Sequence, residues 1–150
     1  MVGITGSNGK TMVKEWLYQT LSKDHVVTRS PRSYNSQVGV PLSLWLLDAQ
    51  TQVAVFEAGI SQPGEMQVLH DIIRPTLGVL TMIGEAHQEN FPSIEAKCQE
   101  KLRLFEGTEA LVYPQDDPLV ARCVAESGYQ GQHLGWSRHD AAAAFYVLQE

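Results

Sequence analysis

Apolar positions along the chain form two alternating patterns: short unbroken runs, and longer segments in which they recur every three or four residues. Val2–Thr5, Gln52–Glu57 with its Val-Ala-Val-Phe run, Leu77–Thr81 and Ala110–Tyr113 are of the first kind. Continuous apolar character over four to six residues predicts strands buried on both faces, as a parallel sheet requires. Thr11–Lys23 is of the second kind: Val13, Trp16, Leu17 and Leu21 recur at helical spacing and predict an amphipathic helix. A break at Pro63-Gly64 precedes a helix over about Glu65–Arg74, Ser93 is an N-cap for a helix running to about Glu106, and Asp117–Glu126 reads as another. Gly131–Val147 holds one or two edge strands whose direction the pattern leaves open. Strand followed by helix, repeated, predicts an α/β fold: a mostly parallel, doubly wound sheet with helices on both faces. Ligands on such sheets sit at the carboxyl ends of the strands.

Composition narrows this without changing it. One hundred and fifty residues make one ordinary domain, and 43% hydrophobic with 19% charged residues is globular usage. Net charge is −6, from 17 acidic and 11 basic residues with no basic run, so neither nucleic acid nor an anionic membrane is expected as a partner. The two cysteines, Cys98 and Cys123, lack metal-ligand spacing and fit a reducing compartment. With no membrane-length apolar stretch and no leader pattern, the expected location is the cytoplasm. The opening residues run straight into a motif that normally follows a complete strand, which predicts a piece excised from a longer protein.

That motif is Gly6-Ser7-Asn8-Gly9-Lys10-Thr11, set between a short strand and an amphipathic helix. This is the context of a P-loop: glycines let successive amide N–H groups and the helix N-terminus point at phosphate oxygens, and Lys10 adds a mobile positive charge. Thr11 offers a hydroxyl to Mg²⁺. The full pattern G-x-x-x-x-G-K-S/T would place glycine at position 4; here Ile4 stands there and the glycine is Gly3. No Asn-Lys-x-Asp or Asp-x-x-Gly segment of a guanine-nucleotide switch accompanies the loop. The bland alternative is a glycine-rich turn that only joins strand to helix.

Three further residues carry candidate chemistry. Glu57 ends an apolar strand, where an acid either holds Mg²⁺ against a nucleotide or merely faces solvent. His87, in the loop Gly84–Glu89, would project from the same carboxyl edge, as a metal ligand or as a surface residue. Lys101 lies seven residues after Ile94 and three after Cys98, on the apolar side of its helix. Such a lysine either snorkels to water or loses its charge, and a neutral amine can add carbon dioxide to become an anionic carbamate.

Four separated segments together resemble the Mur ligase family of ATP-dependent amide-forming enzymes. They are Ile4–Thr11, Asn35-Ser36-Gln37-Val38-Gly39-Val40-Pro41, Glu57-Ala58-Gly59, and Ala86-His87 followed by Glu100-Lys101-Leu102-Arg103. The loop wording and Gly39-Val40-Pro41 are most similar to the branch that adds D-alanyl-D-alanine to a UDP-muramyl tripeptide in peptidoglycan precursor synthesis. The resemblance implies that the amides of Gly6, Ser7, Asn8 and Gly9 with Lys10 hold ATP, and that Thr11 and Glu57 bind one Mg²⁺. It implies further that His87 and a carbamylated Lys101 serve a second Mg²⁺, and that Asn35 lies near the γ-phosphate and the acceptor carboxylate. Lys10, Asn35, His87 and Lys101 are then the catalytic set.

The implied reaction passes through an acyl phosphate that an incoming amine displaces. The family has three domains and the likeness covers the middle one, so the partners are ATP, the UDP-muramyl peptide and flanking domains, and the isolated piece should not complete ligation. Departures are Ser36 where a second asparagine is common, and Pro114 where an asparagine before Asp116-Asp117 helps read adenine. After about Gly128 no motif matches. Two alternatives are a folylpolyglutamate synthetase-like ligase and a non-catalytic nucleotide-binding module.

Overall fold

A computed structural model describes residues 1–148. Its strands are β1 (Val2–Thr5), β2 (Val27–Arg29), β3 (Val53–Glu57), β4 (Leu77–Leu80), β5 (Ala110–Pro114), β6 (Gln132–Ser137) and β7 (Phe145–Tyr146). They form one seven-stranded sheet in the order β2-β3-β1-β4-β5-β6-β7, with every pairing parallel. The helices are α1 (Lys10–Leu21), α2 (Gly39–Leu44), α3 (Glu65–Ile73), α4 (Ile94–Leu102) and α5 (Pro118–Glu126). After β1 the chain moves outward to β2 and returns through β3. It then crosses β1 to reach β4, so the strand order reverses beside β1, and a crevice opens there at the carboxyl edge.

Alternation along the strands assigns the two faces. Val2, Leu77, Val79 and Val112 look toward Val13, Leu17 and Leu21 of α1. The opposite face meets α3, α4, α5 and the 3-10 turn Arg103–Phe105 that follows α4. That turn sits against the sheet so closely that a Cβ on Gly78 would lie 2.4 Å from Phe105 Cδ1, which only a glycine avoids. Phe56, Met66, Leu69, Leu104, Phe105 and Leu111 are buried in the core there. Each such side chain contributes about 1.5–3 kcal/mol of burial free energy.

The caps explain where the helices begin. Ser93 Oγ accepts from Ala96 N–H at 3.1 Å at the start of α4, and Asp117 Oδ1 accepts from Leu119 and Val120 N–H at α5, where Pro118 fills the first turn. The structure departs from the sequence pattern in four places. Strand β2 was not predicted: three half-buried residues paired only with β3 leave no apolar run to read. Helix α2 begins among Gly39 and Pro41, which look like breakers, yet proline in a first turn forfeits no internal hydrogen bond. In α1, Trp16 is 59% exposed while Lys14 is fully buried, so the seam toward the sheet is Val13, Lys14, Leu17 and Leu21. The helix expected to reach about Glu106 ends as α-helix at Leu102 and tightens into the 3-10 turn. The tail strands both run parallel to β5; β7 pairs only with Trp136 and Ser137, so residues 138–144 have little length to retrace before pairing.

Candidate functional site

The loop between β1 and α1 is braced from β4 and the segment after it. Ser7 N–H donates to Met82 O at 2.7 Å, Ser7 Oγ donates to Gly84 O at 3.2 Å, and Thr81 Oγ1 donates to Asn8 O at 2.7 Å. Gly9, the N-cap of α1, has φ 84°, a left-handed turn that places no side chain over the first amides of the helix. Lys10 Nζ folds back over the loop, donating to Gly6 O at 2.8 Å and Ser7 O at 3.3 Å. Burial lowers its pKa, with the Glu57 carboxylate acting in the opposite direction. An anionic phosphate in the loop would give the ammonium a partner better than two carbonyls.

Glu57, at the carboxyl end of β3, is fully buried and not solvent-facing. Its Oε2 accepts from Thr11 Oγ1 at 2.9 Å and its Oε1 pairs with Lys14 Nζ at 3.2 Å. Lys14 also donates to the Arg32 carbonyl, which fastens the segment leading to Asn35. One hydroxyl and one carboxylate beside a phosphate loop is a donor set that suits Mg²⁺, which takes one or two protein oxygens and fills its shell with phosphate and water. Among the described residues no group of three or more His, Cys, Asp or Glu side chains forms a self-sufficient metal cage.

Beside the loop lies a cleft of about 380 Å³ lined by Lys10, Asn35, Ser61, Glu65, His87 and Lys101, among others. Thr11 faces an adjoining hollow that it shares with Lys10 and Asn35. The structure thus brings the phosphate loop, Asn35, His87 and Lys101 around one space, with Glu57 behind Thr11. Asn35 O accepts from Gly59 N–H at 2.8 Å, and its side chain lies so close that a Cβ on Gly59 would stand 2.9 Å from Asn35 Cγ. His87 is exposed, with the left-handed backbone φ 58°. Lys101 is 3% exposed and does not snorkel; its Nζ donates to Gly6 O at 3.3 Å, the carbonyl that Lys10 also uses. Burial, then the nearby charges of Lys10 and Lys97, lower its pKa to about 8.

Sequence reasoning missed four contributors. Lys14 and Lys97 are buried lysines at helical positions that alternation assigns to the core. Glu65 Oε2 accepts from the N–H groups of Ser61 and Gln62, shaping the cleft wall. Glu100 Oε1 accepts from Gly64 and Met66 N–H at the start of α3. The one signal available was helical spacing: Lys14 follows Lys10 by one turn and Lys97 precedes Lys101 by one turn. At the end of β5, Asp116 accepts from Ser137 Oγ and Arg138 N–H and Asp117 caps α5, so both acids are committed to the fold. Pro114 borders an apolar groove that also takes in Asn8, Gly9, Met82 and Trp136, next to the phosphate loop.

A family profile describing the Mur ligase middle domain matches residues 4–148. The chain belongs to the Mur ligase family. Among curated relatives it is similar to UDP-N-acetylmuramoyl-tripeptide--D-alanyl-D-alanine ligase of Bacillus subtilis, 30% identical over 148 residues, covering 95% of this chain and 32% of that protein. Of solved structures, MurF from Acinetobacter baumannii superposes with a TM-score of 0.84 at 27% identity, over 92% of this chain and 31% of that one. MurF ligase from Thermotoga maritima in complex with ADP gives 0.81 at 30% identity, over 93% and 33%. This Mur ligase chain therefore spans about a third of the length of these relatives. Among the described residues no helix is long and apolar enough to cross a membrane.

Proposed function

We propose that this chain is the ATP-handling middle domain of an ADP-forming peptide ligase that joins D-alanyl-D-alanine to a UDP-muramyl tripeptide. The observation that carries the reading is the convergence of Lys10, Asn35, His87 and Lys101 on one cleft, beside the Thr11–Glu57 pair, at the carboxyl edge where the strand order reverses. The similarity to a D-alanyl-D-alanine-adding relative over 95% of the chain favours this substrate over folate, and the grouping of Lys10, Asn35, His87 and Lys101 around one cleft favours catalysis over simple nucleotide sensing.

In the reaction, a carboxylate oxygen of the tripeptide attacks the γ-phosphorus of ATP and ADP departs. The amine of D-alanyl-D-alanine then attacks the acyl carbon, phosphate leaves, and the amine releases a proton. The loop amides and Lys10 hold the phosphates and offset charge on the transferring group, while Asn35 orients the acceptor carboxylate. Thr11 and Glu57 would hold one Mg²⁺, and His87 with Lys101 would serve a second; when bound, Mg²⁺ would supply neutralisation of phosphate charge. Lys101, whose pKa is lowered to about 8 by burial and by the Lys10 and Lys97 charges, has an uncharged fraction that would add carbon dioxide: its nitrogen lone pair forms the N–C bond, one proton leaves, and the product is an anionic oxygen donor.

The test uses the complete protein with ATP, UDP-muramyl tripeptide and D-alanyl-D-alanine, trapping the acyl phosphate with hydroxylamine. Formation of a hydroxamate that depends on ATP and the tripeptide, and its loss in Lys10→Ala and Glu57→Gln, supports the reading. Turnover of folates in place of muramyl peptides, or activity untouched in both variants, overturns it.

A further inference from the structure

Lys97 is 1% exposed, yet its hydrogen bonds go to two backbone carbonyls, those of Gly84 and of Ala86, the latter at 3.2 Å. Among the described residues no carboxylate lies within ion-pair distance of it. The carboxylates of Glu85 and Glu89 favour its charge only from beyond that distance, and burying an ammonium without a direct ion pair costs stability that an apolar side chain would not incur, so core packing alone gives no reason for a lysine here. The carbonyls it holds belong to the loop Gly84–Glu89 that carries His87. That loop needs holding: His87 is a non-glycine residue at φ 58° and ψ 24°, a backbone state that persists only where its surroundings enforce it. Gly84 O also accepts from Ser7 Oγ of the phosphate loop, so Lys97 joins α4, the His87 loop and the phosphate loop at one point.

We infer that Lys97 is a positioning residue: its buried ammonium clamps residues 84–86 and thereby fixes where His87 stands relative to the phosphate loop. The inference rests on the proposed role of His87 in the ligase reaction. It goes beyond that role by assigning a second lysine of α4, one turn before Lys101, to the geometry of the site and not to its chemistry.

The experiment compares Lys97→Met, Lys97→Arg, His87→Ala and the Lys97→Met/His87→Ala double variant in the complete protein. It reads kcat, the KM for ATP, and hydrogen exchange of the amides of residues 85–90, with calorimetric ATP binding as the check that each variant is folded. Lys97→Met is expected to lower kcat by about 10- to 100-fold, as loss of a supporting group does. The KM for ATP should stay within about threefold, because the clamp does not touch the nucleotide. Exchange of the loop amides should speed up, Lys97→Arg should recover part of the lost rate, and the double variant should be no slower than His87→Ala alone. If His87→Ala is slow while Lys97→Met keeps the wild-type rate and exchange, the clamp is wrong and the site reading stands. A double variant slower by the product of the two single effects also overturns the clamp. If His87→Ala itself runs at the wild-type rate, the proposed role of His87 fails and the inference falls with it.

Discussion

Replacing Gly59 by alanine separates the placement of Asn35 from the stability of the fold. The new Cβ would stand 2.9 Å from Asn35 Cγ and Oδ1 and 3.3 Å from Nδ2, whereas carbon atoms in contact settle at about 3.5–4.0 Å. The backbone cannot yield easily, because Asn35 O and Gly59 N–H are bonded at 2.8 Å, so the carboxamide has to swing by roughly 1 Å. An off-rotamer side chain costs about 0.5–1.5 kcal/mol. For a domain of this size each kcal/mol moves Tm by about 2–4 °C, giving a drop of about 1–6 °C by scanning calorimetry. A 1 Å misplacement beside the reacting groups is worth about 100-fold in rate, so kcat of the complete protein should fall by that order and match the loss in Asn35→Ala. ATP affinity should hold, since the phosphate loop is untouched. A folded Gly59→Ala protein with the wild-type kcat would refute the reasoning, and so would a rate loss accompanied by an equal loss of ATP binding.

Two further perturbations test the packing and the electrostatics. Gly78→Ala sets a Cβ 2.4 Å from Phe105 Cδ1 and should cost about 1–3 kcal/mol of overpacking, a Tm drop of about 2–12 °C; an unchanged Tm would contradict the contact. Lys101 has its pKa lowered to about 8 from the ordinary lysine value of 10.5, so between those pH values the unfolded chain binds more protons than the folded one and stability rises with pH. Lys101→Met lacks that rise. Its stability advantage over wild type in urea unfolding, in buffer freed of carbon dioxide, should shrink from pH 8 to pH 10, and a gap flat with pH would speak against burial of the charged amine.

The parts of this molecule that were legible in the sequence are those whose physics is local. Val53–Phe56 is an unbroken apolar run because β3 is covered on both faces, and Gly9 precedes Lys10 because the turn into α1 has φ 84°. Strand β2 was not legible, since an edge strand of Val27, Thr28 and Arg29 carries no alternation. Lys14 and Lys97 were hidden for the opposite reason. Each stands at a position that the helical period assigns to the core, and only the three-dimensional neighbours, Glu57 and the carbonyls of Gly84 and Ala86, show what a lysine does there. Lys101 was visible as an oddity, but whether its amine reached water depended on the Gly6 carbonyl 95 residues away in sequence. The contact of Asn35 with Gly59 likewise joins the segment before α2 to the end of β3 and has no sequence signature.

The central claim is that the loop Gly6–Thr11 holds the phosphates of ATP with Lys10 as their cation, and titration calorimetry on the complete protein tests it most directly. ATP should bind with an affinity that rises with Mg²⁺, GTP should bind more weakly, and the Lys10→Ala variant should lose the heat of ATP binding while keeping the wild-type melting transition. ATP binding that is as tight in a folded Lys10→Ala protein as in the wild type would contradict the account.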